Sequence, residues 1–157
     1  MKDLIDVSMR YMKRLLLIVC ILTVAAAGCK SHKEAVVNAS PEFNSEEVWR
    51  LDAMRGKEVV PLSGQQPITI QINPEAGTFG GTSGCNRYFG SFKDKGNGKM
   101  ALSDFNGTKK ACPEAFHKVE NSYMQLLQRC DGFKLTEYTL ELLQGDKVLL
   151  SFEKIRE

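Results

Sequence analysis

The side chains that could support nucleophilic chemistry in this chain are five cysteines and two histidines. In a Cys–His pair the imidazole takes the thiol proton, and the thiolate then attacks the substrate. Cys112 and His117 form the candidate pair, but five helical residues turn one side chain about 140° away from the other. His32 falls in a polar segment near the start of the chain. The sequence therefore predicts no catalytic residue.

Metal and phosphate binding have no better support in the residue pattern. The sequence contains no CxxC, no HxxxH and no carboxylate cluster at the spacing of metal ligands. The glycine-rich run at 80–84 lacks the Lys-Ser/Thr of a phosphate loop, and it precedes a predicted strand rather than a helix. We interpret it as a tight bend or bulge where Cβ atoms would clash. No metal and no cofactor are predicted.

The N-terminal segment has the pattern of a bacterial export signal. Lys13 and Arg14 precede an apolar run at 15–27, which is 13 residues long. That length fits the apolar region of a signal peptide and falls short of the roughly 20 residues that span a bilayer. Met1 and Met12 are both candidates for the start of the chain.

The apolar run ends in Ala26-Ala27-Gly28-Cys29, which resembles a lipobox. In that interpretation residues 1–28 are the signal peptide, and Cys29 is acylated and becomes the mature N-terminus. Several acyl chains anchor a protein stably, whereas one does so only marginally. The alternative is an ordinary signal peptide cut after Ala27. We expect a location in the bacterial cell envelope, with the outer membrane favoured over the inner membrane.

The part of the chain after Cys29 divides into a tether and one domain. Residues 29–45 are polar, lack periodicity and contain Pro41, which is typical of a flexible tether. Residues 46–157 form the predicted domain. Subtracting the leader's four basic and two acidic residues from 21 and 19 leaves 17 of each. A neutral chain gives no electrostatic case for nucleic acid, and we expect a monomer.

Hydrophobic periodicity predicts a mainly β domain with one helix. Period-two alternation between turn residues predicts many short strands, most clearly at 67–72 and 147–155. Apolar residues recur at helical spacing over 113–130; they are Phe116, Val119, Tyr123, Leu126, Leu127 and Cys130. We predict an α+β fold, in which a small curved antiparallel sheet or partly open barrel packs against this helix.

Five blocks of the sequence follow the order of one known family; they are residues 49–51, 84–92, 108–114, 140–142 and 149–152. The specific part is Gly84-Cys85-Asn86-Arg87 followed by a Thr-x-x-Ala-Cys run that ends at Cys112. On these residues the chain resembles the META domain, or HslJ-like, family of bacterial envelope proteins over 46–157. The resemblance implies a mainly β fold with one helix, an envelope location and, as in some members, links to heat-shock or drug-stress responses. It implies no known reaction.

The remaining candidate site residues are mostly in two motif blocks. The first motif block is Gly84–Arg87, and the second is Thr108–Cys112. Cys85 and Cys112 lie 27 positions apart, and we favour a disulfide between them because the envelope is often oxidising. The alternative is two reduced, buried thiols. Cys130 is interpreted as a core thiol. Asn86 and Arg87 are either structural or part of a recognition surface, with Arg87 stacking on an aromatic ring or pairing with a carboxylate such as Glu114.

Three classes of function are compatible with these observations. We favour a non-enzymatic, membrane-anchored envelope lipoprotein that supports envelope integrity or tolerance of stress and drugs by binding an unidentified envelope protein. The alternative is a carrier of a small apolar ligand in a lipocalin-like barrel, and an envelope enzyme is the third class. A carrier needs an apolar cavity of roughly 300 Å³ or more, whereas a filled interior favours a partner on the exterior.

Overall fold

The structure is a computed structural model that describes residues 42–156. The predicted signal peptide, the predicted lipidation site Cys29 and most of the predicted tether lie outside the described residues. Within the described range, no helix is long and apolar enough to cross a bilayer.

Nine strands and one helix make up the described part of the chain. The strands are β1 (Val48–Met54), β2 (Lys57–Glu58), β3 (Thr69–Asn73), β4 (Thr78–Thr82), β5 (Arg87–Gly96), β6 (Lys99–Gly107), β7 (Gly132–Leu135), β8 (Thr139–Gln144) and β9 (Lys147–Lys154). The helix α1 spans Glu114–Leu127, inside the range that periodicity predicts.

The nine strands form one antiparallel sheet that closes in a ring. Strand β1 pairs with β3 on one side and with β9 on the other, and the short β2 extends the ring as a hairpin from β1. The sparsest pairing is between β6 and β7, which meet only at Lys99 and Gly132. Helix α1 lies in the connection between these two strands. The predicted curved antiparallel sheet with one helix is confirmed.

Large side chains from the strands and from α1 occupy the core. Trp49, Leu140 and Phe152 contribute from β1, β8 and β9, and the helix contributes Tyr123 and Leu127. All five are at most 1% exposed. The apolar stripe predicted for the helix is therefore confirmed in its second half.

The first half of the helix differs from the predicted stripe. Phe116 and Val119 are only partly buried, while the carboxylate-bearing Glu120 is 9% exposed. Glu120 precedes the buried Tyr123 by three residues and therefore shares its face of the helix. This face is apolar near the C-terminus of α1 and polar near its N-terminus.

Strand β9 departs from simple alternation. Leu149 and Leu150 are both buried although they are neighbours, because a register irregularity opposite Leu142 and Leu143 inserts an extra residue. Alternation alone places Val148, Leu150 and Phe152 on one face, and the irregularity brings Leu149 into the core as well.

The folded part of the chain includes a residue that the sequence assigns to the tether. Phe43 packs against the core, with ring centroids 5.6 Å from Phe92 and 4.8 Å from Phe133. The ordered contacts of the domain therefore begin before residue 46.

Candidate functional site

The two motif blocks meet through the side chain of Asn86. Its Oδ1 accepts hydrogen bonds from Thr108 Oγ1 at 3.0 Å and from the backbone N–H of Lys110 at 2.8 Å. The backbone N–H of Arg87 donates to Thr108 Oγ1 at 3.1 Å. Asn86 is itself buried. The side chain of Asn86 therefore links the turn between β4 and β5, by hydrogen bonds, to the segment that leads from β6 into α1.

A buried carboxylate on α1 lies directly behind this junction. Glu120 Oε2 accepts a hydrogen bond from Asn86 Nδ2 at 3.0 Å, and Glu120 Oε1 accepts one from the hydroxyl of Ser83. His117 Nδ1 lies 3.3 Å from Glu120 Oε2. These partners compensate the carboxylate for its lost hydration.

Sequence reasoning singled out Asn86 but missed Ser83 and Glu120. The available signal was a charged residue at a position of the helix that faces the core. No comparable signal in the sequence marks Ser83, because serine is common in Gly-rich turns. In the structure Ser83 is only 1% exposed.

The cysteines of the two blocks lie beside this carboxylate. Cys85 and Cys112 have Cα atoms 6.4 Å apart and are placed as a disulfide pair, the pairing that the sequence favours. Cys85 is buried, whereas Cys112 is half-buried. The Cys85 Sγ, a ring nitrogen of His117 and a carboxylate oxygen of Glu120 all lie within 4.8 Å of one another.

Cys130 is the free cysteine among the described residues. It is buried at the C-terminal end of the helix, where its thiol contacts the carbonyl of Leu126 at 3.3 Å. Burial raises the pKa of the Cys130 thiol to about 12. A thiol that stays protonated is a poor nucleophile, which fits the predicted role in the core.

An open pocket of about 800 Å³ lies in front of the buried cluster. Its lining includes Asn86, His117 and Glu120, together with three exposed basic residues, Arg87, Lys109 and Lys110. The carboxylate named as a partner for Arg87, Glu114, pairs instead with Lys118 at 2.9 Å. The pocket therefore presents a basic rim around a buried carboxylate.

The nucleophilic side chains at or beside the pocket are engaged by other groups of the protein. Ser83 contributes to the lining of the pocket, but it is 1% exposed and its hydroxyl donates to Glu120. The structure brings Cys85 to His117, but the Cys85 sulfur is placed in the disulfide. What the arrangement offers instead is charge and hydrogen-bond donors for a negatively charged group.

The glycine-rich run acts in the packing of strands, as the sequence predicts. A Cβ on Gly81 would lie 2.0 Å from the carbonyl oxygen of Thr69 on the neighbouring strand, and Gly84 has a φ of +96°. Glycine at these positions allows close approach and a left-handed turn.

The chain therefore belongs to a class of small β-rich domains. Its antiparallel strands form a ring with one helix, and its two motif blocks meet behind an open pocket. The sequence model of the META domain matches residues 42–156, and the chain belongs to the META domain family. No curated protein matches this chain significantly.

Two solved structures show the same fold, and a third is more distantly similar. A protein from Burkholderia xenovorans, determined by NMR, is 26% identical with a TM-score of 0.56, covering 82% of this chain and 100% of that chain. A second NMR structure is 22% identical with a TM-score of 0.53, covering 69% of this chain and 89% of that chain. A crystal structure of a DUF4847 family protein from Bacteroides vulgatus is 15% identical, covers 69% and 92% of the two chains, and has a TM-score of 0.47.

Proposed function

We propose that this chain is a non-enzymatic, membrane-anchored lipoprotein of the bacterial envelope. In this proposal its META domain binds another envelope protein and thereby supports envelope integrity or tolerance of heat or drug stress. The observation that carries the proposal is the open, basic-rimmed pocket to which both motif blocks contribute.

The packing of the core supports a partner on the exterior rather than a ligand inside the ring. Tyr123 and Leu127 of α1 pack into the same cluster as Trp49 and Leu140 of the sheet, and all four are at most 1% exposed. These side chains fill space that a carrier would leave open.

The charge of the pocket indicates what kind of partner surface fits it. Arg87, Lys109 and Lys110 are exposed at the rim. The negative charge of Glu120 is engaged by internal hydrogen bonds. An acidic segment of a protein would complement this rim, and such complementarity raises association rates and specificity more than raw affinity.

The membrane anchor is tested separately from the partner. Blocking lipoprotein signal peptidase with globomycin, or the substitution Cys29→Ala, should leave an uncleaved or soluble product. Membrane fractionation and intact mass report the outcome. An unchanged mass and an unchanged membrane fraction in Cys29→Ala would contradict the lipoprotein proposal.

The partner is tested by site-specific photocrosslinking in living cells. A photoreactive residue at Lys109, on the pocket rim, should give a discrete adduct with one envelope protein. The same residue at Lys147, which is exposed on β9 outside the pocket, is the matched control. Arg87→Glu combined with Lys110→Glu should abolish the adduct and the stress tolerance of the cells without lowering the melting temperature.

Each competing class predicts a different result in these experiments. Equal crosslinking from Lys109 and Lys147, with stress tolerance intact in the charge-reversed variant, would contradict partner binding through the pocket. A stoichiometric apolar compound in organic extracts of the purified protein would favour a carrier. Turnover in a broad activity screen that is abolished by His117→Ala would favour an enzyme.

A further inference from the structure

Three potential metal ligands lie within 4.8 Å of one another behind the pocket, and Cys112, the disulfide partner of one of them, is a fourth candidate. Cys85 follows β4, Cys112 precedes α1, and His117 and Glu120 lie one turn apart on α1. Thiolate, imidazole and carboxylate are the three ligand types that bind zinc in proteins, usually four at a time. The sequence spacing conceals this set because its members are up to 35 positions apart.

The separation of the two helical ligands already fits a tetrahedral ion. Two nitrogen or oxygen ligands at about 2.05 Å from a tetrahedral zinc lie about 3.3 Å from each other. His117 Nδ1 and Glu120 Oε2 lie 3.3 Å apart. Spacing of i and i+3 on one helix face holds both side chains toward the same point.

The surroundings of Glu120 have the form of an outer ligand shell. Ser83 and Asn86 donate hydrogen bonds to its two carboxylate oxygens, so the carboxylate is fixed before any ion arrives. Outer-shell partners of this kind orient metal ligands and raise affinity. His117 and Glu120 also line the open pocket, which gives an ion a path from solvent.

We propose that reduction of the Cys85–Cys112 disulfide converts this cluster into a zinc site with two thiolates, the imidazole of His117 and the carboxylate of Glu120. An external dithiol supplies two electrons and two protons, is oxidised to its disulfide, and leaves two thiols on the chain. Zinc then displaces both thiol protons to solvent. The ion rejoins the two motif blocks that the disulfide had linked.

The disulfide form lacks two of the four ligands, since neither sulfur carries a thiolate. His117 and Glu120 alone offer one nitrogen and one carboxylate, fewer ligands than a structural zinc site uses. In a tetrahedral zinc site the two sulfurs would lie about 3.8 Å apart, and Cys112, which is half-buried just before the helix, is the residue whose sulfur would move to the ion. The site is therefore gated by the redox state of the cysteines.

The test is an anaerobic cobalt titration of the full chain in detergent. Cys20→Ala, Cys29→Ala and Cys130→Ala together leave Cys85 and Cys112 as its cysteines. After reduction by a dithiol and removal of the reductant, we expect one Co²⁺ per chain with thiolate-to-cobalt absorption, which Zn²⁺ abolishes by displacement. The oxidised chain should show no such band.

Substitution of the two helical ligands tests whether the metal is bound by all four ligands or by the two thiolates alone. His117→Ala, at a half-exposed position, should weaken cobalt binding by the reduced chain at least about tenfold, and Glu120→Gln should do the same. Lys118→Ala, on the exposed side of α1, should leave the affinity unchanged. Circular dichroism of each oxidised variant checks that it is folded.

Three results would overturn the proposal. One is a reduced chain without thiolate-to-cobalt absorption, and another is an unchanged affinity in His117→Ala. The third is a reduced chain that unfolds and does not refold when Zn²⁺ is added. None of these measurements involves a protein partner, so the outcome is independent of the function proposed above.

Discussion

Asn86 shows how one buried side chain can hold distant segments in place. It accepts two hydrogen bonds from the second motif block and donates one to Glu120. A buried polar group left without its partner costs more than the hydrogen bond itself is worth, because its hydration is not recovered. These contacts favour the structural interpretation of Asn86, while the side chain of the neighbouring Arg87 is exposed at the pocket rim.

We expect Asn86→Ala to lower the free energy of unfolding by about 2 kcal/mol. The substitution removes one donor from the buried carboxylate of Glu120 and both acceptor contacts to the second block. Urea denaturation of the oxidised protein measures the change. Asn121→Ala, at an exposed position of α1, should stay within about 0.5 kcal/mol of the parent. Equal losses in the two variants would argue against the role given to Asn86.

A second buried polar pair, Tyr88 and Tyr123, crosses the core. The hydroxyl of Tyr88 donates to the carbonyl of Thr69 at 2.7 Å and lies 2.6 Å from the hydroxyl of Tyr123. Burial raises the pKa of both phenols above their ordinary value of 10.0. Burial raises the pKa of the Cys130 thiol in the same way.

These shifts predict a loss of stability at alkaline pH. Well below pH 9 all three groups are protonated in both the folded and the unfolded chain, so their ionisation does not lower the stability there. Above the ordinary values of 9.0 for the Cys130 thiol and 10.0 for the phenols, the unfolded chain releases protons that the folded chain retains. Stability should then fall by up to about 1.4 kcal/mol per pH unit for each group.

Urea denaturation from pH 8 to pH 11 checks this expectation. The variant Cys130→Ala should show a smaller decline between pH 9 and pH 10, where the thiol dominates. A free energy of unfolding that stays level to pH 11 would contradict the assignment of these three groups as buried and protonated.

At the scale of the elements, the ring depends on close approach between β3 and β4. The two strands pair antiparallel from Gln71 opposite Gly80 to Asn73 opposite Thr78. Just beyond this ladder, Thr69 Oγ1 and Thr82 Oγ1 lie 3.1 Å apart. Gly81 is the residue that lets the two backbones come together at this point.

We expect Gly81→Ala to destabilise the protein by more than about 3 kcal/mol, since overpacking a tight contact costs 1–3 kcal/mol and here the obstacle is backbone. Its Cβ would lie 2.0 Å from the carbonyl oxygen of Thr69. Gly145→Ala is the matched control, because Gly145 has a φ of +58° but nothing near its Cβ. That variant should lose only about 1 kcal/mol through backbone strain. Thermal unfolding ranks the two, and a Gly81→Ala protein as stable as Gly145→Ala would refute the close approach.

At the scale of the whole molecule, the ring is closed by contacts between the two ends of the domain. Strand β1 pairs with β9 from Trp49 opposite Lys154 to Met54 opposite Leu150. Lys154 also forms an ion pair with Glu47. The disulfide pair adds a second long-range link, since it closes a loop of 27 residues between the motif blocks.

The bridge between Cys85 and Cys112 should stabilise the domain by roughly 3–4 kcal/mol, because a cross-link lowers the entropy of the unfolded chain. The double variant Cys85→Ala/Cys112→Ala should lose about that amount relative to the oxidised protein. Non-reducing peptide mapping decides whether the bridge exists in the mature protein. Alkylation of both thiols without prior reduction would show that it does not.

The sequence by itself determined the local structure of this protein. Alternation and turn residues located most strands, and helical spacing located α1 within 113–130. These patterns are readable because each depends on residues within one turn or one strand of each other. The same holds for the motif blocks, whose residues by themselves indicate the META domain family. The two-residue strand β2 was missed because it is too short to show periodicity.

Only the tertiary structure decided how the candidate site is assembled. Ser83, Asn86 and Glu120 come together from positions up to 37 residues apart, and no local pattern encodes which turn will face which helix position. That juxtaposition depends on strand register, on the bulge in β9 and on the closure of β1 against β9. A shift of one residue in register would exchange the two faces of a strand. The burial of Glu120 beside the cysteine pair is therefore a property of the closed ring, and not of any segment of the sequence.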